Sequence, residues 1–263
     1  MVEVMKQEHF VLVHGACHGA WSWYKLKPRL EAAGHRVTTL DLAASGIDRK
    51  AIEDVHSIDE YSEPLLEIMA SLPHDEKVIL VGHSLGGLSL ALAMDKFPEK
   101  ISVAVFLTAF MPDTTHPASY ILDQYNERTP AKAWLDTQFA PYGDSDPPLM
   151  TMFFGPKFFA SKLYQLSPVE DLELSKVLAR PGSLFLADLA KAKKFTNEGY
   201  GAVTRVFVLC GEDKAIPVEF QRWMIQNSPV QEVLEIMDAD HMPMNSKTQE
   251  LCDCLVEIAQ KHS

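Results

Sequence analysis

The clearest chemical potential in the chain lies in VILVGHSLGGLSLALAM, where Ser84 stands at the centre of a G-x-S-x-G pattern. A serine held on a sharp turn between an apolar strand and an amphipathic helix presents its hydroxyl clear of both elements, placed to attack an electrophilic carbon. Gly82 and Gly86 suit such a turn, because side chains two residues either side of a sharply bent serine collide. Alone the pattern is weak, since with Gly and Ser each near ~7% of residues it arises by chance in roughly one chain in ten of this length. The strand before it and the helix after it carry the reading. A dinucleotide site fits poorly, because the G-x-G-x-x-G fingerprint needs glycine where Ser84 stands.

A serine hydroxyl is too weak an acid to attack an ester unaided. A histidine must take its proton, and a carboxylate must hold that histidine's tautomer. With a nucleophile on this kind of turn, the chain order is serine, acid, histidine. Of the ten histidines, only His241 and His262 follow the last two expected strands. His262 falls in the terminal helix and is expected to be solvated; His241, in DADHMPM after VLEIM, is the candidate base. The acid should follow the preceding strand, where RVFVLCGEDKAIP offers Glu212 and Asp213. Asp213 is preferred for its shorter, more easily fixed side chain, and Glu212 stays open. Asp238 and Asp240 are local to the histidine and are expected to shape its loop.

Negative charge developing on a carbonyl oxygen needs preorganised donors. The N–H of Leu85, directly after the serine, is one; the loop in HFVLVHGACHGAW offers Ala16 N–H as the second, with Gly15 allowing close approach. His14 and His18 could be read as metal ligands, but no third partner stands at zinc-like spacing, so hydrogen bonding around this loop is expected. His83 is likewise read as structural.

Elements must hold these residues in place. Short apolar or β-branched runs at His9–Val13, Arg36–Leu40, Lys77–Val81, Ile101–Leu107, Arg205–Cys210 and Val233–Met237 predict strands. Helical spacing occupies Trp23–Ala33, Ser57–Ser71, Leu88–Phe97, Pro217–Gln226 and Thr248–His262. This alternation predicts an α/β fold with a mostly parallel, doubly wound sheet. It breaks down over residues 112–182, which hold nine of the sixteen prolines and a cluster of aromatics, including Tyr120, Phe139, Phe153, Phe158 and Phe159. A structureless loop of that length is improbable. The segment reads as an inserted, mainly helical cap, with LELSKVL and KFFASKLY as short helices, between core segments 1–111 and 183–263.

With 263 residues, 47% hydrophobic and 23% charged, the chain matches ordinary globular usage and should fold without metal or disulfide staples. Its formal charge of −12 argues against nucleic acid as a partner, and a neutral substrate such as an ester is easier to accommodate than an anion. The opening MVEVMKQEHF shows no signal peptide and no membrane span, which predicts a cytoplasmic protein with Cys17, Cys210, Cys252 and Cys254 as reduced thiols.

Nearly the whole chain carries a resemblance in FVLVHGACHGAWSWYKLKPRLEAAGH, LDLAASGI, VILVGHSLGG, EKISVAVFLTAFMPD, FFGPKFFASKLYQLSP, EDKAIPVEFQ and ADHMPM. It resembles the plant methylesterases of the α/β-hydrolase fold. The resemblance implies hydrolysis of small, largely apolar methyl esters of plant-hormone type, such as methyl salicylate, methyl jasmonate or methyl indole-3-acetate, through an acyl-enzyme. It puts nucleophile, acid and base on Ser84, Asp213 and His241, and the oxyanion donors on Ala16 and Leu85. It places Phe110, Tyr125, Trp134, Met152, Phe154, Leu163, Leu184 and Met242 around the acyl group. No cofactor, metal or membrane partner is implied; a homodimer is one assembly found in the group.

Two other functions share this scaffold. Related hydroxynitrile lyases resemble the chain but carry threonine at the place of Gly15, lysine at that of Met242 and glutamate at that of His83, which disfavours cyanohydrin cleavage here. Related methylketone synthases replace the nucleophile with alanine, where this chain has Ser84. A hormone-binding receptor with low turnover is the alternative from another class, and rapid multiple turnover would disfavour it.

Overall fold

The computed structural model describes residues 6–262. Residues 1–5 and 263, at the ends of the two expected core segments, lie outside the described residues, as does the first half of MVEVMKQEHF. Among the described residues there are nine strands: β1 His9–Val13, β2 Arg36–Thr39, β3 Val78–His83, β4 Ile101–Leu107, β5 Gln138–Tyr142, β6 Leu149–Phe153, β7 Gly182–Ser183, β8 Arg205–Cys210 and β9 Glu232–Ile236. Six of them form one sheet in the order β2-β1-β3-β4-β8-β9, with every pairing parallel. Parallel strands are covered by helices on both faces, which is why β1, β3 and β8 read as unbroken apolar runs and are buried almost throughout.

The longer helices are α1 Leu26–Ala32, α2 Ile58–Ser71, α3 Gly86–Lys96, α4 Tyr120–Arg128, α5 Val169–Leu178, α6 Val218–Asn227 and α7 Thr248–His262. Helix α2 starts where Ser57 Oγ accepts the N–H of Glu60, with Asp59 and Glu60 in the first turn facing the positive end of the helix. Helix α7 buries Leu251, Cys252, Leu255, Ile258 and Ala259, one stripe at helical spacing. The expected α/β alternation is realised, and all six predicted core strands appear within two or three residues of their anticipated ends.

Strand order decides where chemistry can occur. The chain runs from β1 outward to β2, then returns to place β3 on the other side of β1. The crevice at the carboxyl ends of β1 and β3 is therefore a topological switch point, the usual position of a ligand in such a sheet. The loop after β1 and the turn after β3 meet there. The segments after β4, β8 and β9 open at the same end of the sheet.

Between β4 and β8 the chain forms α4, α5, a short helical stretch over Pro156–Leu163 and a three-stranded antiparallel sheet in the order β5-β6-β7. The two helical expectations within this segment are realised; the small sheet was not anticipated, because FAPY is broken by Pro141 and LMTMF is too short and too uniformly apolar to show a clear period of two. Several bonds fasten this segment to the rest. Arg180 reaches the carbonyls of Gly46 at 3.2 Å, Asp48 at 2.5 Å and Lys50 at 2.6 Å, and its own N–H donates to Cys17 O at 3.2 Å. Tyr125 Oη donates to Ala215 O and Tyr142 Oη to Val55 O. The thiols Cys17, Cys210, Cys252 and Cys254 are unpaired. No helix among the described residues is long and apolar enough to cross a membrane.

Candidate active site

Ser84 sits between β3 and α3 with φ +54°, in the left-handed region that a residue with a Cβ enters at a cost of about 1–3 kcal/mol. Its surroundings hold it there: Ser84 N donates to Leu107 O, while Ser84 O accepts from Gly87 N and Phe110 N. The bend is possible because α3 begins against the end of β1. A Cβ at Gly86 would lie 2.6 Å from His14 O. Cys17 at φ +62° and Thr108 at φ +37° are strained in the same sense, so three strained non-glycine residues follow β1, β3 and β4 at this end of the sheet.

Asp213 follows β8, where its Oδ1 accepts the backbone N–H groups of Ala215 at 2.7 Å and Ile216 at 2.8 Å. These bonds fix the carboxylate plane. Its Oδ2 accepts Thr108 Oγ1 at 2.5 Å and lies 2.6 Å from His241 Nδ1. Because Oδ2 of a carboxylate only accepts, His241 donates from Nδ1 and leaves Nε2 free of its proton, the tautomer a general base requires. Both side chains are buried, Asp213 at 5% and His241 at 3% exposure, whereas Ser84 is half-buried and Glu212 is exposed. The geometry thus pairs Asp213 with His241 and turns Glu212 to solvent.

The loop after β1 runs hard against the serine: a Cβ at Gly15 would stand 2.8 Å from Ser84 Cβ and 3.1 Å from His83 Nδ1. Ala16, next in this loop, and Leu85, after the serine, are both buried beside Ser84 in sequence or space. His14 and His18 tie the loop down by hydrogen bonds. His14 lies 2.8 Å from Gly15 O through Nδ1, and its Nε2 accepts Leu42 N at 3.1 Å. His18 contacts Ala16 O through Nδ1 and Tyr164 Oη through Nε2, each at 2.8 Å.

Burial keeps these imidazoles uncharged. It pushes His18 down to about 3, with His14 and His241 nearby acting in the same direction, and it lowers His14 and His83 below the ordinary histidine value. His83 Nε2 lies 2.7 Å from His241 O, and its buried Nδ1 has no partner among the described residues. His262, expected in solvent, instead pairs with Glu232 Oε2 at 3.3 Å on a largely covered side chain, because α7 packs back across the end of β9.

An apolar cavity of about 190 Å³ opens beside the small sheet. Trp134, Met152 and Leu184 line it, joined by Phe139, Leu149, Met150 and Leu186, with Asn126 the one polar side chain capable of several hydrogen bonds. The other expected pocket residues, Phe110, Tyr125, Phe154, Leu163 and Met242, do not line this cavity. Phe110, whose N–H binds Ser84 O, packs edge-on against Tyr125 at 5.1 Å, and Tyr125 packs edge-on against Trp134 at 6.1 Å. Phe154 stacks on Phe158, which stacks on Trp134. Leu163 and Met242 are buried in the main core. Among the aromatics, Tyr120 is placed apart, stacked on His116 and beside Trp223. A larger, open depression of about 420 Å³ lies at the opposite end of the strands, lined by charged groups such as Lys6, Glu8, Arg36 and Glu76; it faces away from Ser84.

A profile described as the alpha/beta hydrolase family matches residues 10–253. The chain is 63% identical over 256 residues to salicylic acid-binding protein 2 of Nicotiana tabacum, covering 97% of this chain and 98% of that one. The chain belongs to the alpha/beta hydrolase family, among its plant methylesterases. It is 62% identical over 262 residues to methylesterase 1 of Arabidopsis thaliana, covering 99% of each. A crystal structure of polyneuridine aldehyde esterase superposes with a TM-score of 0.94 at 56% identity, covering 97% of this chain and 100% of that one. The site also has a feature that motif reading missed: Thr108, whose hydroxyl shares Asp213 Oδ2 with His241. A threonine ending an apolar strand carries no sequence signal for that role.

Proposed function

We propose that this chain is a serine carboxylesterase that hydrolyses small, largely apolar methyl esters of plant-hormone type. The observation that carries the reading is the hydrogen-bonded Asp213–His241 pair, joined through His83 to the strained turn that bears Ser84. Ser84 Oγ attacks the ester carbonyl while His241 Nε2 takes its proton, and the N–H groups of Ala16 and Leu85 receive the charge on the carbonyl oxygen. His241 then gives the proton to the leaving methoxide oxygen, and methanol departs. Water, deprotonated by His241, attacks the acyl-enzyme to release the carboxylic acid and free Ser84. Asp213 stays ionised and steadies the imidazolium at each stage.

Phe110, Tyr125, Trp134, Met152, Phe154, Leu163, Leu184 and Met242 would enclose the acyl group. Residues 112–182 would act as the cap over core segments 1–111 and 183–263. The relatives named as methylesterases and as a salicylic acid-binding protein support an aromatic or similarly flat acyl group. A cytoplasmic location and a homodimer belong to the same proposal. The test is methanol release from methyl salicylate, methyl jasmonate and methyl indole-3-acetate by the wild type and by Ser84→Ala. Turnover at the wild-type rate in the variant overturns the reading.

A further inference from the structure

Four consecutive residues of the segment between β4 and β8 touch all three loops that carry the proposed chemistry. Tyr164 Oη is 2.8 Å from His18 Nε2, and His18 in turn binds Ala16 O through Nδ1, so Tyr164 braces the loop after β1. Gln165 Nε2 donates at 2.6 Å to the carbonyl of Glu212, the residue before Asp213. Leu166 N and Ser167 Oγ donate at 2.9 and 2.8 Å to Asp240 Oδ2, the residue before His241. The four residues are themselves a closed turn, with Ser167 N donating to Tyr164 O and Tyr164 N to Phe159 O.

Asp240 shows how firm the last attachment is. Its side chain is fully buried and all its donors come from two places. Oδ2 takes the turn, while Oδ1 accepts Met242 N at 2.9 Å and Ser246 Oγ at 2.7 Å, both just beyond His241. One carboxylate therefore ties the turn to either side of the base. The loops of acid and base are also joined to each other, through Glu212 N on Ala239 O at 3.0 Å. Charge-assisted hydrogen bonds to a buried carboxylate are about twice as strong as neutral ones, and replacing one partner leaves a desolvated group unpaired.

We propose that Tyr164–Ser167 is a positioning element that sets the mutual alignment of the oxyanion, acid and base loops, with Asp240 as its anchor on the base loop. This rests on the esterase reading above. The four residues touch second-layer atoms, so they govern the reacting geometry more than substrate affinity. They would act on kcat and leave KM nearly unchanged.

The experiment measures kcat, KM and thermal midpoint with 4-nitrophenyl acetate, whose small acyl group makes little use of the apolar cavity, for Tyr164→Phe, Gln165→Ala, Ser167→Ala, their triple combination and Asp240→Asn. A misplacement near 1 Å costs on the order of 100-fold in rate, so the triple variant and Asp240→Asn are expected to lose roughly that much kcat with KM within about twofold. Ser167→Thr, which keeps the hydroxyl, should restore most of what Ser167→Ala loses, an outcome that general loosening of the fold does not produce. Wild-type kcat in the folded triple variant overturns the proposal, and so does a loss of rate that merely tracks the unfolded fraction. If the triple variant and Asp240→Asn fail to fold, the single variants decide, and wild-type kcat in all three overturns it. Ser84→Ala assayed in parallel separates the two readings: its retained turnover sinks the esterase mechanism, whereas its inactivity beside unchanged positioning variants sinks only the alignment role.

Discussion

His83 Nε2 donates to the carbonyl oxygen of His241 at 2.7 Å, with the two rings 4.6 Å apart. The carbonyl can only accept, so the proton is on Nε2 and the buried Nδ1 is bare. The residue before the proposed nucleophile thereby holds the backbone of the proposed base, and the turn after β3 and the loop after β9 are locked across the intervening strands β4 and β8. Nε2 carries a proton in the neutral and the charged ring alike, so the bond itself survives protonation; it is burial that disfavours the charged form of His83.

Acid should therefore unfold this protein through its histidines as well as its carboxylates. For His18 the folded value of about 3 lies below the unfolded value of 6.5, so between those pH values the unfolded chain binds a proton that the folded chain refuses. Stability is then fully present above about 6.5 and is lost as pH falls towards 3. His9, lowered to about 4, and the lowered His14 and His83 act in the same direction. Thermal midpoints recorded from pH 7 to pH 4 should fall steadily, and a His18→Gln variant, if folded, should show a shallower fall. A flat profile contradicts this assignment.

Thr108→Val should weaken the proposed catalytic pair without disturbing shape, since valine keeps the β-branch and loses only the hydroxyl on Asp213 Oδ2. A hydrogen bond to a charged group contributes about 1.5–3 kcal/mol, so kcat/KM should drop by roughly tenfold or more, almost entirely in kcat. Thr108→Ser should regain most of it. Steady-state kinetics on one methyl ester checks both.

Gly15→Ala brings a methyl group within 2.8 Å of Ser84 Cβ, closer than real carbons approach. The serine must move, and a shift near 1 Å costs about 100-fold. The expected result is a folded protein with kcat reduced by about that factor; near-wild-type turnover would mean that the loop after β1 yields instead.

Leu184→Trp should fill part of the 190 Å³ cavity and so act on selectivity before rate. Each methylene placed in or excluded from an apolar pocket changes binding by about 1–3 kcal/mol. Across 4-nitrophenyl esters of lengthening acyl chain, the variant's kcat/KM should stay close to wild type for acetate and fall increasingly behind beyond butanoate. A uniform loss at all lengths would place the acyl group elsewhere.

Much of this arrangement was legible in the sequence because buried parallel strands advertise themselves. HFVLV, ISVAVFL and RVFVLC match β1, β4 and β8 residue for residue. With the strands placed, the candidates Ser84, Asp213 and His241 are read from their positions at strand ends, and a hydrogen bond joins Asp213 to His241. The segment between β4 and β8 was less readable. Its small sheet pairs strands by long-range contacts that leave no local period, and its aromatics divide between cavity wall and packing according to neighbours that only folding supplies. Thr108 and the Tyr164–Ser167 turn stayed hidden for a simpler reason: hydroxyls and amides acquire partners only in three dimensions.

Arg180 fastens its segment to the loop at 46–50 by grasping three main-chain oxygens, and every amino acid supplies that oxygen. The attachment is consequently indifferent to the identity of the side chain at Ile47, which is 93% exposed between two of the grasped carbonyls. Genetic drift at that position leaves the joint intact. The surface over Ile47 is thus a place where this enzyme can acquire new outward character, such as a charge or an attached label, while the chemistry beneath is left alone.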